Sequence, residues 1–541
     1  VRQAKLTNSY QDLAKTPLLI AMDGEWGLGM RLDSTISYPR QMTLGAIRDN
    51  HQIYLMGEEI GRQMKRLGVH INFAPVVDIN SNPANPVIGT RSFGEDKDNV
   101  ASKGIAYMKG LEAAGVMANA KHFPGHGDTS TDSHHTLPMV EHDLQRLQNV
   151  ELYPFKKLID AGLRSTMVAH LYIPSLDSTS NLPSTLSKPV ITGLLQQQYG
   201  FNGLIFTDAL NMKGVSAFYQ PGELEVKALQ AGNDVLLFPE NVPAAIQAIK
   251  LALDKKEIKK QALETKVKKI LTAKFQAGLN HYEPVNMDNI QSFLIRPEAQ
   301  LLKRTLFEKA ITIVKNQHNH LPITALDTTY FASLTIGPTE PNTFQKKLSK
   351  YAPFTHFTLG NAQRTKDHYQ RLLGKLENFN QVLIGLHMLN NSRSKNYGLT
   401  SDDVEFLTEL QRRTNVIVVA FGNPYSLGYL EESSSLICAY QDQQITQELV
   451  PQIIFGASDA SGQLPVTSGH IKAGTGVNTE AIGRLGYSLP EHAGMDSRVL
   501  SRIDKIASEA IKEKATPGCQ VLVARNGKVV FEKAYGYFTY D

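Results

Sequence analysis

Ionisable side chains are concentrated in one short segment, KHFPGHGDTSTDSHHTLP (121–138), which contains four histidines, two aspartates and a lysine. Pro124, Gly125 and Gly127 exclude a regular helix, so the segment is predicted to be a loop. Burying so many polar groups would cost stability unless each were paired, which indicates that the loop serves chemistry.

Three roles are open to this loop. Metal binding could use its histidines and aspartates, but the spacing of His122 and His126 suits a helix and the loop contains no cysteine, so we predict no metal. A solvated loop without a chemical role is the second possibility. Acid/base catalysis is the third, because the Asp132 carboxylate can accept a hydrogen bond from the His134 imidazole, fix its tautomer and raise its basicity.

A His–Asp pair of this kind needs a partner nucleophile, and Asp208 at the end of GLIFTDAL (203–210) is a good candidate. A carboxylate nucleophile combined with a separate proton donor is the arrangement found in retaining glycosidases. The residues therefore predict Asp208, His134 and Asp132 as catalytic groups, with no cofactor.

Short apolar runs alternate with helical patterns through the first 280 residues, as in a parallel sheet covered by helices. Six runs favour a (β/α)8 barrel of the TIM type over residues 1–280, with at least its first strand expected upstream of Val1. The helical pattern 144–161 is expected to kink or break at Pro154. The runs are PLLIAMD (17–23), HINFAPVVDI (70–79), VMANAKHF (116–123), TMVAHLYIP (166–174), GLIFTDAL (203–210) and DVLLFP (234–239).

Five of these runs end at or near ionisable residues. Barrel enzymes carry their catalytic groups at the carboxyl ends of the strands. The pattern therefore predicts one shared polar pocket at that end of the sheet. Its expected members are Asp23, Asp78, Lys121 with His122, His170 and Asp208.

The second half of the chain repeats the α/β pattern. A linker (281–300) precedes a predicted parallel sheet with helices, an α/β/α sandwich over 301–470, and a second linker covers 471–494. From residue 495 a helix, capped by Asp496 or Ser497, and a hairpin turning at Asn526-Gly527 are predicted. This α+β fragment (495–541) is interpreted as the truncated start of a further domain.

Composition narrows the class of protein. The 541 residues carry a net charge of only +4, and the basic stretch 254–274 mixes Lys with Glu at helical spacing, so no nucleic-acid partner is expected. Two distant cysteines indicate neither a disulfide framework nor a Cys-based zinc site. No apolar run is long enough to span a membrane, and the oligomeric state stays open.

Several motifs resemble one known family. KHFPGHGDTSTDSH, LLIAMDGEWG, INFAPVVDIN, GTRSFGED, FTDALNM and SGQLPVT, spread over roughly residues 1 to 490, are similar to the signature of glycoside hydrolase family 3 β-N-acetylglucosaminidases. The resemblance implies a barrel followed by a sandwich, with Asp208 attacking the anomeric carbon. It further implies that His134, supported by Asp132, protonates the leaving oxygen and later deprotonates water.

The resemblance also assigns the sugar-binding groups. Matching motifs place Asp23, Arg91, Lys121, His122 and His170 on the hydroxyls and acetamido group of the sugar. Many relatives have DQEGG where this chain has DGEWG (23–27), so Trp26 is expected either to stack on a sugar or, as we favour, to pack the rim.

The DGEWG form is similar to Bacteroidetes-type members of the family. In those, a serine β-lactamase-like domain often follows the sandwich, and the fragment from Asp496 resembles its first helix and hairpin. The SxxK nucleophile motif of that domain is not reached, and Ser392-Arg393-Ser394-Lys395 is interpreted as a chance match.

The resulting hypothesis is a retaining exo-β-N-acetylglucosaminidase acting on terminal β-linked N-acetylglucosamine, with peptidoglycan fragments as the substrate that the resemblance implies. It also implies a periplasmic or outer-membrane-associated location. A phosphorylase that transfers the sugar to phosphate, a metal-dependent hydrolase and a non-catalytic sugar-binding protein stay as alternatives.

Overall fold

The computed structural model describes residues 1–131 and 136–540, which fold into two compact units. The first comprises Val1–Leu294 with two short later segments, Asn391–Ser394 and Pro465–Thr467. The Glu95 carboxylate ties the last of these to the first unit, because it accepts hydrogen bonds from the Thr467 N–H (2.8 Å) and hydroxyl (2.6 Å). The remainder, to Asp541, forms the second unit.

The first unit is built on a curled parallel sheet whose strands pair in chain order, β1-β2-β3-β4-β5. An isolated parallel bridge from Phe206 to Val235 adds the start of the sixth apolar run. The predicted parallel order is confirmed, and the described strands form a half-barrel. The strands are β1 (Ala21–Met22), β2 (Ile71–Asn72), β3 (Met117–Phe123), β4 (Ser165–Val168) and β5 (Leu204–Thr207).

Helices connect these strands, as the alternating pattern predicts. The expected break near Pro154 is confirmed, because one helix ends at Asn149 and the next begins at Tyr153. A π-helix, Pro189–Gln198, lies between β4 and β5. The α-helices are α1 (Arg2–Leu13), α2 (Gln41–Gly45), α3 (Asn50–Arg66), α4 (Lys97–Ala113), α5 (Leu144–Asn149), α6 (Tyr153–Asp160), α7 (Lys213–Ser216), α8 (Glu223–Ala231), α9 (Val242–Asp254), α10 (Lys260–Gln276) and α11 (Ile290–Leu294).

Close packing of α3 on α4 positions part of the pocket described below. A Cβ added at Gly110 would lie 2.2 Å from the Tyr54 carbonyl oxygen, so only glycine allows the two helices to approach this closely. The buried Tyr107 of α4 then reaches the turn after β1 and donates its hydroxyl proton between the Gly24 and Glu25 carbonyl oxygens, both at 3.0 Å.

The second unit contains a six-stranded sheet in the order β6-β11-β10-β9-β7-β8. Five strands are parallel to one another, and one of these, β8, was not predicted. β6 runs antiparallel to β11, so the expectation of a wholly parallel sheet is wrong at that edge. An antiparallel edge strand on an otherwise parallel sheet is common. The strands are β6 (Thr312–Asn316), β7 (Phe331–Gly337), β8 (Phe354–Gly360), β9 (Gln381–Leu386), β10 (Asn415–Ala420) and β11 (Ser435–Cys438).

Helices cover this sheet. On one side α12 (Pro297–Ala310), α13 (Thr343–Leu348) and α16 (Gln444–Ile454) share an apolar core with the strands. Two further helices, α14 (Lys366–Leu376) and α15 (Ser401–Gln411), pack against each other, and α15 packs on β10.

The last part of the second unit has a small sheet of its own, in the order β12-β14-β13. The predicted helix and hairpin are confirmed: Asp496 accepts a hydrogen bond from the Arg498 N–H, and Asn526 and Gly527 have φ of 52° and 71° at the turn. That this part of the chain is the start of a β-lactamase-like domain stays a prediction. The elements are α17 (Ser497–Leu500), α18 (Arg502–Lys512), β12 (Gly486–Tyr487), β13 (Gly518–Arg525) and β14 (Lys528–Gly536).

Over the described residues, no helix has both the length and the apolar character that a bilayer-spanning segment requires.

Candidate active site

A cavity of about 510 Å3 lies at the carboxyl ends of the strands in the first unit. Five of the residues predicted for a catalytic or sugar-binding role line it: Asp23, Arg91, Lys121, His122 and Asp208. The shared pocket expected from the strand ends is therefore present, but two of its expected members, Asp78 and His170, do not line it. The other lining residues are Glu25, Met30, Arg31, Val87, His126, Met167, Ala209, Asn211, Met212, Leu237 and Phe238.

A buried carboxylate that the motif analysis did not single out, Glu25, holds two cations in the pocket wall. Its side chain has no solvent exposure; it accepts from Arg91 through Nη2 (2.7 Å) and Nε (3.0 Å), and it lies 2.9 Å from Lys121 Nζ. Burial raises the pKa of Glu25, but the charges of Lys121 and Arg91 more than offset this, so its pKa lies well below the ordinary value. Glu25 is ionised and fixes both cations.

Asp23 extends this network towards the opening. Its two carboxylate oxygens accept from Lys121 Nζ (2.8 Å) and from Arg31 Nη2 (2.7 Å). Burial raises the pKa of Asp23, and the charges and hydrogen bonds of Lys121 and Arg31 lower it by more. The side chain is about a third exposed (31%), so it can also accept from a ligand's hydroxyls.

Asp78 is fully buried behind the pocket and orients His122. Its carboxylate accepts from His122 Nδ1 (2.7 Å) and from the backbone N–H groups of His122 (3.1 Å) and His126 (2.7 Å). This contact turns the other ring nitrogen, Nε2, towards Arg91 Nη2, at 3.4 Å. Burial raises the pKa of Asp78, but the charge and hydrogen bond of His122 bring it below the ordinary value.

His126, to which the motif analysis assigned no chemical step, also lines the pocket. Burial, together with the neighbouring His122, lowers the pKa of His126 to about 4. The ring is therefore neutral at pH 7, with Nδ1 2.9 Å from the Thr129 hydroxyl. It supplies a polar surface without adding charge.

Asp208 follows β5 directly and is the least engaged carboxylate of the pocket lining. Among the described residues its side chain accepts a hydrogen bond from the Ala209 N–H (2.8 Å), whereas Asp23 and Glu25 are both held in ion pairs. Burial raises the pKa of Asp208, and the positive potential of His170, His122 and Lys121 lowers it by more. The carboxylate is thus ionised and available to a ligand.

His170 lies next to Asp208 but outside the lining of the cavity. Its ring is fully buried, with Nε2 3.0 Å from the Ala209 carbonyl oxygen and Nδ1 2.6 Å from the Thr185 hydroxyl. In this position it supports the backbone that presents Asp208. Its sugar-binding role stays a prediction.

The described part of the histidine-rich loop that precedes residue 132 is anchored. Asn85 Nδ2 donates to the His126 carbonyl oxygen (2.8 Å), and the Asp128 carboxylate is hydrogen-bonded to the His142 ring. The predicted acid/base pair, Asp132 and His134, lies outside the described residues. Among the described residues, no cluster of three or more potential metal ligands comes together.

Trp26 packs at the edge of this region. The Arg40 guanidinium lies 4.7 Å from the centre of its ring, and Trp26 is not among the lining residues of the cavity. The sequence analysis did not identify Glu25, Arg31 or Phe238. Glu25 and Arg31 follow Asp23 by two and eight residues, so the polar character of the turn after β1 was the available signal.

Comparison with known proteins identifies the family of the first unit. Residues 1–273 match the model of the glycosyl hydrolase family 3 N terminal domain. The chain belongs to glycosyl hydrolase family 3. All the lining residues of the cavity fall within the matched part.

Relatives in family 3 are similar over the same region. Beta-hexosaminidase A of Pseudoalteromonas piscicida is 35% identical over 340 residues, 58% of this chain and 56% of its own length. Beta-hexosaminidase LpqI of Mycobacterium tuberculosis is 36% identical over 271 residues, 48% of this chain and 68% of its own. The chain thus spans little more than half of the first of these relatives.

A solved family 3 structure is similar over most of the chain. The β-N-acetylglucosaminidase from a Paenibacillus species has a TM-score of 0.71 and 30% sequence identity, covering 86% of this chain and 90% of that one.

Proposed function

We propose that the protein is a retaining exo-β-N-acetylglucosaminidase that forms a covalent glycosyl-Asp208 intermediate. The observation that carries the proposal is the uncommitted, ionised Asp208 carboxylate in a cavity otherwise lined by paired charges. The names of the β-hexosaminidase relatives and of the Paenibacillus β-N-acetylglucosaminidase support the sugar type.

The paired charges suit a terminal sugar. Asp23 accepts from ring hydroxyls, while Arg31, Arg91 and Lys121 retain donors beyond those used in their ion pairs. His122, held by Asp78, offers a polar ring nitrogen, Nε2, in a fixed position. A cavity of about 510 Å3 falls within the ~300–1,000 Å3 range of small-ligand sites and suits an exo mode of action.

The proposed reaction has two steps. The Asp208 carboxylate attacks the anomeric carbon, while His134, oriented by Asp132, protonates the glycosidic oxygen and the leaving group departs. His134, now neutral, then removes a proton from water, and the water oxygen attacks the anomeric carbon and displaces Asp208. The proton given up in the first step is regained in the second, so the enzyme returns to its starting state.

The decisive test is turnover of 4-nitrophenyl N-acetyl-β-D-glucosaminide by the protein and by Asp208→Asn. We expect hydrolysis by the wild type only, and an adduct of one N-acetylglucosaminyl unit detected by mass spectrometry after rapid acid quenching. Turnover by Asp208→Asn equal to wild type would overturn the assignment.

The same assay separates the alternatives. Sugar phosphate as the product in phosphate buffer would identify a phosphorylase, and loss of activity in chelator would identify a metal-dependent hydrolase. Specific sugar binding without turnover would indicate a binding protein. Release of N-acetylglucosamine from muropeptides, measured against release from chitin oligosaccharides, tests the further proposal that peptidoglycan fragments are the natural substrate.

A further inference from the structure

Phe238 stands at the mouth of the cavity with most of its side chain in solvent. It is 65% exposed, yet it lines the same cavity as Asp208 and Asp23. A large exposed aromatic ring beside a polar pocket loses contact with water only when a ligand covers it.

The backbone is bent to place the ring there. Val235 and Leu237 pack on an apolar cluster formed largely by residues of the first sheet. Leu236 packs on two other clusters, which contain residues of α8 and α9. This alternation is typical of an extended strand. A continued strand would direct residue 238 away from the pocket. Instead, Leu237 and Phe238 both line the cavity.

The change of direction occurs at Phe238 itself, whose φ is +46°. Leu237 is held on both sides, since its N–H donates to the Thr207 hydroxyl (2.9 Å) and its carbonyl oxygen accepts from the Leu210 N–H (2.8 Å). Pro239 follows, and residues before proline ordinarily stay extended. Left-handed backbone at a non-glycine residue is unfavourable and concentrates at functional sites.

We propose that Phe238 is a stacking platform for the leaving-group sugar, the ring on the far side of the scissile bond. This inference rests on the proposed function. The charged groups that would hold the terminal sugar are deep, since Glu25, Lys121 and His122 are at most 6% exposed. The glycosidic oxygen of a sugar held there points towards the mouth, where the electron-rich face of Phe238 meets the C–H groups of the next pyranose.

The test compares two substrates that share the terminal sugar. N,N′-Diacetylchitobiose has a sugar leaving group, whereas N-acetyl-β-D-glucosaminyl fluoride has a leaving group without a ring. For Phe238→Ala, we expect the kcat/KM for N,N′-diacetylchitobiose, divided by the kcat/KM for the fluoride, to fall about tenfold. A change of this size corresponds to the loss of one aromatic stacking contact. Phe238→Trp should restore the ratio.

Two further variants separate this role from a structural one. Phe238→Gly should lower the ratio in the same way while its thermal unfolding midpoint stays at or above that of the wild type, because glycine accepts the left-handed conformation. Phe275→Ala is the matched control: Phe275 is 66% exposed on α10, outside the cavity, and its loss should leave the ratio unchanged.

An equal fall for both substrates, or no change in either, would overturn the inference, since neither separates the leaving-group ring from the terminal sugar. A wild-type protein that turns over neither substrate would count against the proposed function itself, and the inference would fall with it.

Discussion

Glu25 is the residue whose removal should expose the electrostatics of the pocket most directly. Glu25→Gln keeps the shape of the side chain and one oxygen acceptor but removes the negative charge that Arg91 and Lys121 share. Lys121 retains Asp23 at 2.8 Å. Arg91, whose side chain is 21% exposed, loses the one carboxylate with which it pairs among the described residues.

The expected cost follows from this geometry. Breaking a buried ion pair by removing one partner costs about 3–5 kcal/mol. The glutamine oxygen can still accept one hydrogen bond, and Arg91 is partly exposed to water. We therefore expect the free energy of unfolding at pH 7 to fall by about 3 kcal/mol, the lower end of this range.

The pH dependence of this loss has a definite sign. The pKa of Glu25 is lowered in the folded protein, so its stabilising contribution is fully present above the ordinary glutamate value of about 4.5 and decreases as the pH falls towards the folded pKa. The difference in free energy of unfolding between wild type and Glu25→Gln should therefore shrink below about pH 4.5.

Trp26 provides the assay, because it is the only tryptophan and lies beside Glu25 in the first unit. Urea unfolding followed by its fluorescence reports on that unit alone. Glu264→Gln is the control: Glu264 is 56% exposed in an i,i+4 pair, so its loss should change the free energy of unfolding by less than about 0.5 kcal/mol. A Glu25→Gln effect no larger than that of the control would refute the reasoning.

Further predictions concern the proposed mechanism and the stability of the first unit. Asp208→Asn should abolish turnover and His134→Ala should lower kcat by roughly 10²–10⁴-fold, measured with the nitrophenyl substrate; a fully active His134→Ala would remove that residue from the mechanism. Burial lowers the pKa of Lys103 to about 8, so the wild type should gain stability from pH 8 to 10 in urea unfolding, and Lys103→Met should not. Gly110→Ala should destabilise the first unit by about 1–3 kcal/mol through the α3–α4 contact, and an unchanged unfolding midpoint would contradict this.

The parts of the fold that sequence reasoning predicted are those with a local signal. Each apolar run of the first unit became a strand or, for the sixth, a bridge, because continuous burial on both faces demands an uninterrupted apolar segment. Strand β8 (FTHFTLG) was not predicted, since most of its residues are half-buried or exposed and only the last two are buried. The direction of β6 depends on which edge it joins, which no local pattern records.

The candidate site divides in the same way. Asp23, Lys121 and Asp208 were predicted because each lies at or near the end of an apolar run, and strand ends meet at one rim. Glu25 was not, because a glutamate in a turn reads as solvated until its partners are known, and Arg91 and Lys121 lie 66 and 96 positions away. The position of Phe238 in the cavity was not predicted either, because it depends on the left-handed backbone at this residue. The run DVLLFP gives no local signal of that conformation.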